Sequence, residues 1–384
     1  MARINGIVLK LANTCNINCT YCYWFKDLSV YKKSKLIKDN VLSAFYQKLR
    51  NYLLKTGQNI FSIVFHGGEP LIVGKSRLEQ ILFNLRQIEI DLNVKIFKVI
   101  QTNGTLLDEE WIDILTSYDV QIGISIDGPR NINDLNRIDF QGHSTYERTL
   151  RGIRLLQKRR VVFGLLAVYN SSFTAQSICD FFIEELRVSS FDVLLPNVNY
   201  DHAEIPYVQA FYQELFELWY FRYRERGIKI KIAKNILNAL TGQKVTMQSI
   251  GYNPEDSVML KPDGELEASD SLHAIGTDFT AGKLNLLDVD LEDIDKDNLW
   301  NEIYNNSLTL NASCQICEFK RQCGGGHICT RWSKERRFDN PSVYCEQLKA
   351  IFSFAAQIIN NNERRSDIAS YTARESVAKT ANLI

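Results

Sequence analysis

The sequence predicts an α/β fold: a partial (β/α)6 TIM-like barrel followed by a smaller α+β domain. Over the first two-thirds of the chain, short apolar β-branched runs alternate with longer segments of helical spacing. This alternation is typical of βαβ units and a parallel sheet. Six such units are fewer than the eight of a closed barrel, which takes about 250 residues. From about residue 230 the alternation stops, so a second domain is expected there.

The apolar runs and helical segments set the boundaries of the predicted elements. Strands are expected at 7–12, 60–66, 95–102, 120–126, 161–169 and 191–198. Helices are expected at 36–56, 76–92, 108–117, 146–158, 174–187, 206–226, 233–241 and 343–360. A Pro-Asp-Gly turn at 262–264, between apolar runs, predicts a hairpin. We place the barrel at 1–230, the second domain at 231–360 and a polar tail at 361–384.

Composition narrows the classes of function. The 384 residues include 45 Lys and Arg against 45 Asp and Glu, so charge gives no reason to expect nucleic acid or an anionic membrane as partner. No apolar run approaches the ~18 residues of a membrane span, and the N-terminus lacks the layout of a signal peptide. A cytoplasmic location is the default expectation. In such a reducing compartment, clustered cysteines indicate metal sites rather than disulfides.

The first cysteine cluster is Cys15, Cys19 and Cys22. Random placement of the nine cysteines would give this triple spacing only about 0.005 times in the chain. Thiolates select zinc, copper(I) or iron–sulfur clusters, and four ligands would close a structural zinc site. Three local thiolates would instead leave one iron of a [4Fe–4S] cluster open to a chelating ligand. A zinc knuckle with a distant fourth ligand is the alternative.

Polar residues gather at the carboxyl ends of predicted strands, the face that carries the active site in βα barrels. The segment at 66–70 reads His-Gly-Gly-Glu-Pro, and Asn103, Ser125 and Arg137 follow or end later strands. A glutamate can meet an ammonium group, and a guanidinium suits a carboxylate. Each segment is also ordinary turn chemistry, but their shared position favours a binding site.

The first cysteine cluster, followed by Tyr23 and Trp24, resembles the motif of the radical S-adenosylmethionine (radical SAM) superfamily. The resemblance implies that the cluster's fourth iron binds S-adenosylmethionine and that reduction yields a 5′-deoxyadenosyl radical, which abstracts hydrogen from an unactivated carbon. It also implies two sets of cofactor-binding residues. Those facing the methionyl amine are Gly67, Gly68 and Glu69, and those facing the ribose or carboxylate are Asn103, Ser125 and Arg137. His66 stands where related enzymes often have glutamine, and its role is open.

A second cluster of five cysteines, here called the late cysteines, lies between residues 314 and 345. It resembles the SPASM extension of peptide-modifying radical SAM enzymes, with a structural zinc knuckle as the alternative. Full versions of this extension hold two auxiliary clusters on seven cysteines. The predicted hairpin around Gly264 contains no cysteine, and Ser269 stands where a cysteine is expected. The resemblance therefore implies one auxiliary [4Fe–4S] cluster, on Cys314, Cys317, Cys323 and Cys345. Cys329 resembles a ligand of the missing cluster; it is either spare or exchanges with a neighbour. Asp270 matches a base of sulfatase-maturating relatives, with a turn aspartate as the alternative.

The segment from Arg337 to Cys345, with the Gly-Gly-Gly-His run at 324–327, resembles maturases that cross-link ribosomal peptides. That resemblance implies a radical at a side-chain β-carbon that joins an aromatic ring as a cyclophane. Asp270 would take the proton, and the auxiliary cluster the electron. Thioether formation and formylglycine formation are alternatives within enzymes, and a non-catalytic zinc-bearing peptide-binding protein is the alternative outside them. The implied partners are a precursor peptide and an electron donor such as flavodoxin or ferredoxin.

Overall fold

A computed structural model describes residues 4–26, 30, 33–276 and 284–362. Its single sheet has ten strands in the order β10-β9-β8-β1-β2-β3-β4-β5-β6-β7. The strands are β1 Gly6–Ala12, β2 Ile60–Gly67, β3 Lys95–Thr102, β4 Gln121–Ser125, β5 Phe163–Val168, β6 Ser190–Leu194, β7 Lys229–Ile230, β8 Ser257–Leu260, β9 Glu265–Glu267 and β10 Leu284–Asn285.

Most helices lie between strands along the chain, and the last four follow β10. The helices are α1 Tyr23–Lys26, α2 Asp39–Thr56, α3 Lys75–Leu92, α4 Glu109–Ser117, α5 Arg130–Asn133, α6 Tyr146–Lys158, α7 Ala175–Cys179, α8 Gln209–Leu218, α9 Lys231–Leu240, α10 Asn298–Leu308, α11 Ala312–Gln315, α12 Lys320–Cys323 and α13 345–362. Short 3₁₀ turns occupy Pro70–Val73, Asp270–Ala274, Leu291–Lys296 and Ile328–Arg331.

The predicted partial barrel is confirmed. Each neighbouring pair from β1 to β7 is parallel, and the sheet stays open because β7 and β10 are its edges. The carboxyl ends of β1 to β6 therefore lie at one rim, as the alternation of strands and helices requires. All six predicted strands are present within a few residues of their expected bounds.

The helices form because their apolar residues recur on one face. In α2 the buried side chains include Val41, Phe45, Leu49 and Leu53, four residues apart, which is the spacing that places them in one stripe against the sheet. Gly57 then ends the helix in a left-handed conformation. This stripe belongs to a continuous core that also includes residues of α13.

The second half of the chain adds what the sequence pattern did not predict. The two-residue strand β7 is too short to carry a pattern, and β8 continues the sheet by pairing in parallel with β1. The hairpin predicted around Gly264 is present as β8 and β9. The sheet thus crosses the expected boundary at residue 230, and the division into domains stays a prediction.

The structure also bears on the predicted tail and on membrane-spanning helices. Residues 361–362 of the predicted tail continue α13, and residues 363–384 lie outside the described part. Within the described ranges, no helix combines the length and the apolar character needed to cross a bilayer.

Candidate active site

The loop that carries the first three cysteines leaves the end of β1 and enters α1. Cys15, Cys19 and Cys22 are all partly buried, and they lie close enough for their charges to act on one another. Burial, followed by the charge of Glu69, raises the pKa of Cys15 to about 12. A bound metal would have to offset that cost, because a thiol binds metal as the thiolate.

Gly67 and Gly68 seat this loop on the end of β2. The Gly68 amide donates to the carbonyl of Ala12 over 2.8 Å, and the next amide donates to the carbonyl of Thr14 over 2.9 Å. A Cβ on Gly68 would lie 2.2 Å from the Thr14 oxygen, and one on Gly67 would lie 2.4 Å from the Ala12 oxygen. The glycines are therefore required by the close approach of the cysteine loop itself.

The carboxylate of Glu69 joins the ends of β2 and β3. Its Oε1 accepts the Thr102 hydroxyl at 2.6 Å and the Leu71 amide at 3.1 Å, and its Oε2 accepts the Asn103 amide at 2.8 Å. The Asn103 side chain in turn donates to Asn16 in the cysteine loop over 2.9 Å. Both oxygens of Glu69 thus have partners within the protein, and its expected contact with an amine stays a prediction.

Arg137 lies beside the loop in a buried polar chain. Its Nη1 donates to the hydroxyl of Tyr21 over 2.8 Å, and that hydroxyl donates to Asp127 over 2.8 Å. The Nε of Arg137 is buried without a hydrogen-bond partner in the described part of the chain. An unpartnered guanidinium donor fits an anionic ligand such as a carboxylate. Ser125, also expected here, accepts a hydrogen bond from Gln101 at 2.8 Å.

Asp270 lies beside the end of the cysteine loop, in a cluster that joins β1, α1 and β2. Its Oδ2 accepts the Tyr23 hydroxyl at 2.8 Å and the Lys10 ammonium at 3.1 Å. Lys10 also lies 2.8 Å from His66 Nδ1. Burial alone would raise the pKa of Asp270, but Lys10, His66 and Tyr23 together hold it well below its ordinary value. Asp270 is therefore a carboxylate at neutral pH.

Four of the late cysteines form a second group. Cys314, Cys317, Cys323 and Cys345 lie near enough to influence one another's charge. Gly324, which follows α12 with a φ of 64°, has a backbone so close to Gly251 that a Cβ would lie 1.9 Å from its carbonyl oxygen. This contact holds the end of α12 against the chain that leads to β8.

Cys329 has separate partners. It is 1% exposed, and its Sγ lies 2.9 Å from His327 Nδ1 and 3.4 Å from Asn197 Oδ1. Burial raises its pKa well above the ordinary value. Ser269, which stands where a cysteine was expected, lies 3.0 Å from the hydroxyl of Ser271. The position implied for a second auxiliary cluster therefore holds hydrogen-bonded side chains.

The structure gathers the residues predicted around the first cysteine cluster, together with Asp270, near the ends of the first strands, while the four late cysteines form a separate group. It also adds residues that sequence reasoning missed. The missed residues are Lys10, Tyr21 and Asp127. The signal for Lys10 was available, since it is a charged residue inside an apolar strand. Among the described residues, no group of three or more His, Cys, Asp or Glu side chains is arranged to hold a metal ion, and the ligand roles of the cysteines remain predictions.

Comparison with known proteins gives the site its context. Residues 9–172 match the model of the Radical SAM superfamily. A cysteine-type anaerobic sulfatase-maturating enzyme of Clostridium perfringens (strain 13) is 27% identical over 369 residues, which cover 92% of this chain and 97% of that protein. A serine-type anaerobic sulfatase-maturating enzyme of Klebsiella aerogenes is 28% identical over 348 residues, which cover 83% of this chain and 78% of that protein.

Solved structures of anSMEcpe are similar to this chain over most of its length. The structure of native anSMEcpe with bound AdoMet and Cp18Cys peptide superposes with a TM-score of 0.78 at 25% identity, covering 93% of this chain and 99% of that one. The structure of native anSMEcpe with bound AdoMet alone superposes with a TM-score of 0.77. The similarity extends beyond the barrel to the cysteine-rich C-terminal part, which fits the ligation of auxiliary clusters.

Proposed function

We propose that this chain, a radical SAM enzyme related to the anaerobic sulfatase-maturating enzymes, is a peptide maturase that forms a carbon–carbon cross-link in a ribosomally made precursor. The cross-link would join a side-chain β-carbon to an aromatic ring carbon. The observation that carries the oxidation itself, whichever product forms, is the ionised Asp270 beside the cysteine loop, because oxidation of the peptide must end with loss of a proton.

The enzyme binds a [4Fe–4S] cluster and S-adenosylmethionine, and the residues at the rim fit them. Cys15, Cys19 and Cys22 would hold the cluster, and the unpartnered Arg137 Nε would meet the cofactor's carboxylate. The other residues assigned to the cofactor are Gly67, Gly68, Glu69, Asn103 and Ser125. When bound, the cofactor would supply the chemistry that removes a hydrogen atom from the peptide, and a cluster on the C-terminal cysteines would supply an acceptor for the remaining electron.

The chain's own residues position the peptide and handle the proton. The β-carbon loses one hydrogen atom, the new bond forms to the ring, and the ring then loses one electron and one proton. Asp270 accepts that proton, since its side chain is 22% exposed at the rim and already ionised. Two hydrogens are lost in total, and no cysteine of the peptide is consumed.

The auxiliary cluster is assigned to the group of four late cysteines, namely Cys314, Cys317, Cys323 and Cys345. Their mutual proximity supports this ligand set, whereas Cys329 is paired with His327 and Asn197. We propose one auxiliary cluster, a domain boundary near residue 230, and an electron donor such as flavodoxin or ferredoxin.

Formylglycine formation is the second candidate, because the relatives that match most of the chain are sulfatase-maturating enzymes. The preference for cross-linking depends on the resemblance carried by residues 324–327 and 337–345. Both reactions use a base at the position of Asp270, so the geometry of the base serves either one.

The test is anaerobic incubation with S-adenosylmethionine, a reductant and a candidate precursor, namely any short peptide with an aromatic-rich C-terminus that a reading frame beside this chain's gene encodes. A cross-link lowers the peptide mass by two hydrogens, resists aldehyde reagents and suppresses fragmentation inside the ring. Serine oxidation lowers the mass equally but gives an aldehyde that hydroxylamine traps, and thioether formation removes a free thiol. A trapped aldehyde without a ring would replace the proposal by the second candidate.

A further inference from the structure

We propose that Lys10 is a positioning residue, whose buried ammonium fixes the Asp270 carboxylate so that one oxygen is left for the substrate. The inference depends on the proposed function, in which Asp270 accepts a proton from the peptide. Lys10 itself is fully buried, so it acts through Asp270 and not on the substrate.

The two oxygens of Asp270 have different surroundings. Oδ2 accepts both Tyr23 and Lys10, at 2.8 and 3.1 Å. In the described part of the chain, no hydrogen bond to Oδ1 is present, and the side chain keeps 22% of its surface exposed. Two donors on one oxygen fix the rotation of the carboxylate. Oδ1 is thus the oxygen that can meet a proton at the rim.

Lys10 is held in place from several sides. It pairs with His66 across β1 and β2, with 2.8 Å between its Nζ and the imidazole Nδ1. Its ammonium also lies 4.2 Å from the ring centre of Trp24, which gives a cation–π contact. Within the described ranges, Asp270 is the only carboxylate that forms an ion pair with it. A buried ammonium is costly without such a partner, so the pair is mutually dependent.

The charges around Asp270 show what Lys10 contributes. The titratable groups facing Asp270 are Lys10 from β1, Tyr23 from α1, His66 from β2, and Glu255, His327 and Cys329 from the later chain. Burial, then Lys10, lowers the pKa of His66 to about 3, so this imidazole is neutral. The charge of Lys10 therefore opposes the effect of burial, which alone would favour the protonated form of Asp270.

The experiment compares Lys10→Met with wild type in the reconstituted full-length enzyme, using a peptide deuterated at the β-carbon. Deuterium in 5′-deoxyadenosine reports hydrogen abstraction, and cross-linked peptide reports the later proton loss. Both are measured from about pH 5.5 to 8. The matched control is Lys98→Met, since Lys98 is also a buried strand lysine, 3% exposed and 2.6 Å from Glu89.

We expect Lys10→Met to transfer deuterium as wild type does, but to lose product as the pH falls. Without Lys10, burial raises the pKa of Asp270, and half-maximal product formation should lie near pH 6, roughly 2 units above an ordinary aspartate. Wild type and Lys98→Met should show no such limb. A merely structural role for Lys10 would lower product equally at every pH.

A Lys10→Met profile of product against pH with the same shape as wild type would overturn the inference. If that variant does not fold, Lys10→Arg is measured instead. Because arginine keeps the positive charge, its profile should keep the wild-type shape at a lower rate, and a loss of product at low pH in this variant would overturn the inference. Absence of deuterium transfer in wild type would instead remove the proposed function, which keeps the two failures distinct.

Discussion

Replacing Gly68 by alanine tests how the cysteine loop is held on the sheet. The added Cβ would lie 2.2 Å from the Thr14 carbonyl oxygen, where ordinary contacts begin at 3.4 Å. The backbone at Thr14 must therefore retreat by about 1 Å, at a cost of about 1–3 kcal/mol. Because Thr14 precedes Cys15, we expect the displacement to disrupt the first cluster's site and to leave the C-terminal cysteines intact.

The assay is the iron and sulfide content per chain after anaerobic reconstitution, together with 5′-deoxyadenosine formation. Gly68→Ala should lose about half of the iron, as expected for one of two [4Fe–4S] clusters, and nearly all of the deoxyadenosine. Gly164→Ala in β5 is the matched control, since the nearest atom to its Cβ lies 3.7 Å away. Equal iron and equal deoxyadenosine in the two variants would refute the role assigned to Gly68.

Three other predictions follow from single side chains. Asp270→Asn should lower cross-linked product by about 10²- to 10⁴-fold while deuterium transfer to 5′-deoxyadenosine continues; equal loss of both would contradict a base. Cys329→Ser should keep the iron content, whereas Cys345→Ser should lose roughly half, and the reverse order would exchange their roles. Burial raises the pKa of Asp192 to about 6, so wild type should lose stability as pH rises from about 4 to 6. Asp192→Asn should therefore be more stable by roughly 3 kcal/mol at pH 7 in urea unfolding, and a difference independent of pH would count against this.

The barrel could be predicted because its signals are local. The strand at 95–102 has the expected bounds, and so does the helix at 146–158, since each is long and periodic enough to show its pattern. Strand β7 has two residues and carries no period. The pairing of β8 with β1 is a contact across some 250 residues of chain, which no local pattern records.

In the site, too, the residues with a local sequence signal could be predicted and the contacts between distant residues could not. Cys15, Cys19 and Cys22 could be found because the spacing of thiolates is itself the signal. The ion pair between Lys10 and Asp270 could not, since it joins residues 260 positions apart. The sequence indicated Glu69 as a ligand for an amine, which stays a prediction, but it gave no sign that the same carboxylate links β2 to β3. A side chain's chemistry was predictable here, but its partner was not.

The most direct measurement is the yield of 5′-deoxyadenosine from anaerobically reconstituted enzyme with S-adenosylmethionine and a reductant. We predict that wild type forms it and that alanine at Cys15, Cys19 or Cys22 abolishes it, because these thiolates are assigned to the cluster that binds the cofactor. No deoxyadenosine from wild type, or undiminished deoxyadenosine from the alanine variants, would contradict the assignment.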